Sequence, residues 1–183
     1  MTTIIIDGAT QAVYTDGRIT GTNSIGVENY KTATPKAFSM SDGSVVVCAG
    51  SAALKDQIKR LSDKIGDLVL PRYTKIEEDS TVFHVVWKED GLWVNQYIPN
   101  GKHNGCWWEK VLGVLFSDKH DGYSIDHFNI GAGSYLTAGS GGDYAFAALE
   151  CGKSPEEAIK IASLCDRFTD DDVRKYVVVK SIK

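Results

Sequence analysis

Three consecutive isoleucines, Ile4-Ile5-Ile6, follow Thr2 and Thr3 and precede Asp7. Such a β-branched run reads as a strand, because branching at Cβ restricts χ1 and packs well on a pleated surface. The strand is expected to begin within a residue or two of Met1, with no leader expected ahead of it. Further strand signals come in pairs. Ala12 to Thr15 forms a second run and ends in the turn dipeptide Asp16-Gly17. Ala37-Phe38 and Val45-Val46-Val47-Cys48 flank Ser41-Asp42-Gly43, while Thr81 to Trp87 and Leu92 to Ile98 flank Glu89-Asp90-Gly91. The run Val45 to Cys48 is continuously apolar, as a strand buried on both faces requires. Hairpins of this kind build antiparallel sheets.

Helices are signalled separately. Ser51 is the expected N-cap of a helix whose stripe is Leu54, Ile58, Leu61 and Ile65 and which stops near Gly66. Gly139-Ser140-Gly141-Gly142-Asp143 opens a short alanine-rich helix through Leu149. Ser154-Pro155-Glu156-Glu157 combines an N-cap, a proline at the first position and a capping-box glutamate, and Ala158, Ile161, Ala162 and Cys165 supply the buried face that follows. Asp170-Asp171-Asp172 reads as a solvated turn, and Tyr176 to Ile182 as a last strand. The polar stretch Gly21 to Asn29 and the segment Pro71 to Ser80 read as loops. The sum is an α+β layered domain.

At 183 residues and 43% hydrophobic content, the chain is long enough for one compact domain over residues 1–183. A net charge of −4 with interspersed signs gives no footprint for nucleic acid or an anionic membrane. No apolar stretch is long enough to span a bilayer, so a cytoplasmic location is expected. Cys48, Cys106, Cys151 and Cys165 are widely spaced and read as reduced thiols. Residues 99–129 are atypical and aromatic, holding Trp107, Trp108, Phe116, Tyr123 and Phe128. His103, His120 and His127 with Asp118, Asp121 and Asp126 lie there too, but their spacing matches no metal-ligand template, and no metal is expected. The loop at Gly139 lacks the Gly-Lys-Ser/Thr needed to reach a nucleotide phosphate.

The chemistry-bearing residue of the first strand is Thr2. Removal of Met1 would give one residue both a hydroxyl and a free α-amine, whose ordinary pKa is about 7.7 to 8.0. Such an amine is one of the few bases that can activate a threonine hydroxyl at neutral pH. By themselves these residues also fit an ordinary first strand.

Taken together, the chain resembles the proteasome β-type peptidases, N-terminal nucleophile (Ntn) hydrolases of the threonine type, and most closely their bacterial members that partner a ring ATPase. Met1-Thr2-Thr3-Ile4 looks like the family's unprocessed start. Asp16-Gly17 lies where the family carries an aspartate closing its first hairpin. Cys48-Ala49-Gly50-Ser51-Ala52-Ala53 is similar to the segment whose glycine N–H forms the oxyanion hole, and Lys36 lies 14 residues before Gly50, as the family's lysine does. Lys31 is the rival lysine, at the wrong interval. Gly139-Ser140-Gly141-Gly142 looks like the loop bearing the active-site serine, and Cys165-Asp166 with Thr169 lies where many members place an aspartate and a serine.

The resemblance implies a four-layer αββα sandwich of two mainly antiparallel sheets. It implies a threonine endopeptidase with Thr2, Asp16, Lys36, Gly50, Ser140, Asp166 and Thr169 at its site. It also implies a homo-oligomeric ring or double ring, a AAA+ unfoldase supplying unfolded polypeptide, and no cofactor beyond a monovalent cation near the helix ends. Loop polarity, helix-end charge and turn chemistry are the plain alternatives for Ser140, Asp166 and Thr169. Two departures stand out: acidic residues rather than glycines follow Thr169, and residues 99–129 look inserted. A chain that keeps Met1 has no free amine on Thr2. Two other readings therefore stand beside the peptidase: a catalytically silent structural or virion-type assembly subunit, and an Ntn hydrolase acting on a small amide.

Overall fold

The computed structural model describes residues 2–22, 28–31, 35–71, 80–89, 91–99 and 123–180. Within the strands, alternation of side chains sets the layers. In β1 (Ile4–Asp7), Ile4 and Ile6 face one way and Ile5 the other. Ile4 and Ile6 share a core with Val13 of β2 (Ala12–Asp16) and with residues of a second sheet. That sheet contributes Ala37 of β5 (Ala37–Ser39), Val45 and Val47 of β6 (Val45–Ala49), Phe83 and Val85 of β7 (Thr81–Lys88), and Leu92 and Val94 of β8 (Gly91–Pro99).

The opposite faces carry the helices. Ile5, Ala12 and Tyr14 pack against alanines of α2 (Gly142–Glu150) and against Ala158, Ile159 and Ala162 of α3 (Pro155–Cys165). Phe38, Val46, Cys48, Val82 and Tyr97 pack against Leu54 and Ile58 of α1 (Ala52–Ile65). The order of layers is thus helices, sheet, sheet, helix: the α+β sandwich expected from the sequence.

One sheet runs β10 (Tyr135–Ala138), β1, β2, β11 (Val173–Val177), and the other runs β5, β6, β7, β8, β9 (Tyr123–Ile130). Among the described residues every strand pair is antiparallel. β3 (Ile19–Thr22) and β4 (Glu28–Lys31) form a separate ribbon where the polar sequence reads as loop. β9 and β10 also go beyond the sequence reading. The last strand starts earlier than expected, at Val173, because it is an edge strand pairing only with β2 and so tolerates Arg174 and Lys175. Val178, beyond its end, is buried between the sheets. Of the atypical segment, Pro99 and Tyr123 to Asn129 lie in β8 and β9, while 100–122, with Cys106, Trp107, Trp108, Phe116, His103, His120, Asp118 and Asp121, lie outside the described residues. Residues 72–79, 181–183 and Met1 do so as well.

The helix ends translate closely, but the buried face of α3 is Ala158, Ile159 and Ala162, with Ile161 half-buried and Cys165, at the last turn, exposed rather than buried. Ser154 and Glu157 form a capping box, each receiving the other's backbone N–H. Gly66 ends α1 at φ +79°, a left-handed value that suits glycine, and donates its N–H to Ser62. Ser51 holds the N-cap position in extended geometry, but its hydroxyl makes no capping bond.

Ile58 is fully buried under α1, whereas Ile65, two turns later, is 66% exposed. Ile58→Ala is therefore expected to cost about 2–5 kcal/mol, and Ile65→Ala no more than about 0.5 kcal/mol. Urea unfolding at unchanged m-value checks this; equal costs would contradict the docking of α1 through its first half.

Candidate active site

Thr2 and Thr3 lead into β1, and the backbone explains why the ladder starts only at Ile4. The Thr3 N–H donates not to a backbone carbonyl of the neighbouring strand but to the Asp16 side chain, at Oδ1, 2.8 Å away, while its carbonyl accepts from the Asp16 N–H at 3.2 Å. Asp16 closes β2 beside Val173 of β11, so its side chain is inside the fold and fully buried. The turn chemistry expected of Asp16 is present, since Oδ2 accepts from the Arg18 N–H at 3.1 Å. It is only part of what the carboxylate does.

Lys36 lies one residue before β5 and sends its ammonium between the layers, where Nζ meets Asp16 Oδ1 at 2.7 Å and Oδ2 at 2.8 Å. Lys36 is 6% exposed. The Asp170 N–H adds a bond to Asp16 Oδ2 at 3.3 Å. The Thr2 hydroxyl points at Asp16 Oδ1 from 3.5 Å, the long limit of a hydrogen bond. Thr2 Oγ1 and Lys36 Nζ therefore address the same carboxylate oxygen.

A second polar chain meets the first at Thr3. Asp166, at the C-cap of α3, accepts at Oδ2 from Ser140 Oγ (2.6 Å) and Thr169 Oγ1 (2.8 Å), and at Oδ1 from the Phe168 N–H (3.0 Å). Thr169 Oγ1 is 2.6 Å from Thr3 Oγ1. Ser140 stands exposed in the loop between β10 and α2, whereas Asp166 and Thr169 are buried. Two glycines of that loop are sterically required. A Cβ on Gly139, at φ +89°, would lie 1.8 Å from the Thr2 carbonyl oxygen, and one on Gly141 would lie 2.1 Å from Thr3 Oγ1.

Burial sets the electrostatics. It pushes the Lys36 ammonium below its ordinary value, against the pull of Asp16 and the weaker pulls of Asp170 and Asp166. Burial pushes the Asp166 carboxyl up, but hydrogen bonds from Ser140, the Phe168 amide and Thr169 outweigh it and hold the group below the usual carboxylate range. Asp170 behaves alike: burial raises it, and hydrogen bonding within the Asp171–Asp172 stretch together with the Arg18 guanidinium brings it lower. Cys48, by contrast, is simply buried, and its thiol is pushed up to about 12. It is an inert core residue.

Five of the seven site candidates, Thr2, Asp16, Lys36, Asp166 and Thr169, are thus buried in one polar network that Ser140 joins from the surface. Gly50 follows the last residue of β6 with φ +99° and is exposed; the next amide, of Ser51, donates to the buried Ser80 hydroxyl at 3.1 Å. Lys31 ends β4, and its side chain lies outside the described residues.

Sequence reasoning missed three members. Thr3 stands in the sequence only as part of the first strand, Arg18 carries no signal there, and Asp170 reads as part of a solvated turn. That last expectation is corrected: Asp170 is 8% exposed and only Asp171 and Asp172 face solvent. The cause is its amide, drawn inward by Asp16. A signal did exist, since Asp170 directly follows Thr169. Among the described residues no group of three or more His, Cys, Asp or Glu converges as a metal site, and no helix is long and apolar enough to cross a membrane. His127 Nδ1 pairs with Asn95 Oδ1 at 2.8 Å.

No protein-family model matches the chain, and no curated protein matches it. Solved structures do. The crystal structure of eukaryotic HslV from Trypanosoma brucei matches with a TM-score of 0.52 over 94% of this chain and 97% of its own, at 15% identity. At that identity the likeness speaks for the fold alone, and the fold the two share is the two-sheet α+β sandwich.

Proposed function

We propose that the chain is an N-terminal threonine peptidase subunit, with Thr2 as nucleophile once Met1 is removed. The observation that carries the reading is the buried Asp16–Lys36 pair with the Thr2 hydroxyl directed at the same Asp16 oxygen. In this reading the Thr2 α-amine takes the hydroxyl proton, and Oγ1 bonds to the peptide carbonyl carbon. The C–N bond then breaks, its nitrogen receives the proton, and an ester remains on Thr2. Water, deprotonated by the same amine, hydrolyses that ester. Lys36 supplies positive charge beneath the hydroxyl as negative charge develops there, Asp16 holds Lys36 in place, and the Gly50 N–H is the oxyanion donor. Ser140, Asp166 and Thr169 orient the amine and carry its proton.

The HslV-like fold supports the wider proposal: copies assembled as a ring or double ring, and unfolded polypeptide delivered by a AAA+ ATPase. Enclosure in a chamber separates this reading from a small-amide hydrolase, which needs no cage. A particle mass of only one or two chains would favour the small-amide enzyme.

Intact mass before and after a peptide epoxyketone tests the chemistry. The expected result is loss of Met1 and a single adduct on Thr2, absent in Thr2→Ala and slowed in Lys36→Ala by about 10²- to 10⁴-fold. A folded protein that keeps Met1 and takes no adduct would instead be the structural relative.

The pH dependence of labelling follows from the burial of Lys36. The competent form is the protonated one, so the rate is lost as pH rises through the folded pKa. Because burial lowers that pKa, the loss begins below the ordinary lysine value of 10.5. Lys36→Arg, which stays charged, retains whatever rate it has across that range. An alkaline limb identical in both proteins would assign it to another group.

A further inference from the structure

Counting hydrogens fixes the direction of the bonds around Asp166. Thr169 has one hydroxyl hydrogen, and it is given to Asp166 Oδ2 at 2.8 Å. The 2.6 Å contact between the two threonines must therefore be donated by Thr3. A directed chain results, from Thr3 to Thr169 to the Asp166 carboxylate, with Ser140 donating to the same carboxylate oxygen from the other side. The backbone of Thr3 meanwhile belongs to the other half of the site, its N–H lying on Asp16 Oδ1 at 2.8 Å. Thr3 is 0% exposed, and the Gly141 backbone closes over its hydroxyl, leaving no room there even for a methyl group.

We infer that Thr3 is the positioning residue that locks the Asp16–Lys36 pair and the Ser140–Asp166–Thr169 chain into one frame and thereby aims Thr2. This rests on the proposed function, in which Thr2 is the nucleophile. Thr3 immobilises itself at two points, amide and hydroxyl, and its β-branched side chain has few χ1 choices. The peptide that joins it to Thr2 then has a fixed direction, and the long 3.5 Å approach of Thr2 Oγ1 to Asp16 is where a small misalignment would be felt.

The test uses Thr3→Val, which keeps the branched shape and removes the hydroxyl, beside Thr3→Ser, which keeps the hydroxyl. Two quantities are read in the full chain: the rate of epoxyketone labelling at Thr2, and the titration of the Asp166 carboxyl carbon by NMR. In Thr3→Val, labelling is expected to fall by about tenfold or more. Its Asp166 is expected to titrate a few tenths of a unit higher, about what a lost link in a polarised hydrogen-bond chain gives. Thr3→Ser is expected to recover both. Thr3→Val matching the parent in both readouts would overturn the inference, as would Thr3→Ser losing as much as Thr3→Val. Should the parent chain take no label, the peptidase reading fails and the Asp166 titration decides alone: a shift in Thr3→Val restored in Thr3→Ser supports the role of Thr3, and no shift refutes it. If Thr3→Val does not fold, Thr3→Ala is read against Thr3→Ser in the same way.

Discussion

The buried pair of Asp16 and Lys36 is the interaction on which the arrangement of the site depends. Taking both charges out of water costs several kcal/mol per ion, and their attraction offsets this only when the remaining hydrogen-bonding capacity is used. Here it is used. Asp16 receives two contacts from Lys36 Nζ and three backbone N–H groups, those of Thr3, Arg18 and Asp170. Those donors come from the start of β1, the end of β2, the approach to β5 and the turn before β11. One carboxylate therefore ties together four stretches of chain that no local propensity would bring together. A hydrophobic substitute of the same volume would stabilise such a site as well or better, so the pair is poorly explained by stability alone.

The sandwich supplies the geometry. β1 and β2 are neighbours in one sheet and β5 begins the other, so a lysine just before β5 reaches across the inter-layer space to an aspartate at the end of β2. β10 pairs with β1 on its other side, in the register Ile4 opposite Ala138. The loop that follows β10 must then cross directly over Thr2 and Thr3. Glycine at 139 and 141 is the consequence, because any side chain there would occupy the space of the threonines. Position in the sheets, rather than any one motif, brings Ser140 and the residues after α3 to the same end of the molecule.

Much of this was legible in the sequence because it is written locally. β-branched and apolar runs flanking turn dipeptides marked β1, β2 and β5 to β8, the capping box marked α3, and the stripe from Leu54 marked α1, although its last member, Ile65, is exposed. The candidate site residues could be named only through order and interval: nothing in the residues around Lys36 says that it is buried against Asp16. What escaped was long-range. β10 is a short strand stabilised by its partner β1, the β3–β4 ribbon has polar residues that read as loop, and β11 carries charges that only an edge position permits. Thr3 was passed over because its importance lies in a partner 166 residues away. Asp170 was passed over because a run of three aspartates looks solvated until one of their amides is claimed by a buried carboxylate.

That run also bears on the proposed amine base. Asp16, Asp166 and Asp170 stand against Lys36 and Arg18, with Arg18 Nε 3.7 Å from Asp170 Oδ2. Three carboxylates facing two cations leave a negative excess that a protonated α-amine on Thr2 would balance. An amine in such surroundings feels opposing influences: the Lys36 ammonium favours its neutral, basic form, and the additional carboxylate favours its protonated form. The saturation of Asp170 by neighbouring amides and by Arg18 decides how strongly the second influence acts, since a carboxylate whose charge is already met by donors projects less of it toward the proposed nucleophile, Thr2. The acidic corner is thus compatible with an amine base so long as Arg18 stays over Asp170. Its hydrogen bond at 2.8 Å to the Arg167 carbonyl helps to keep it there.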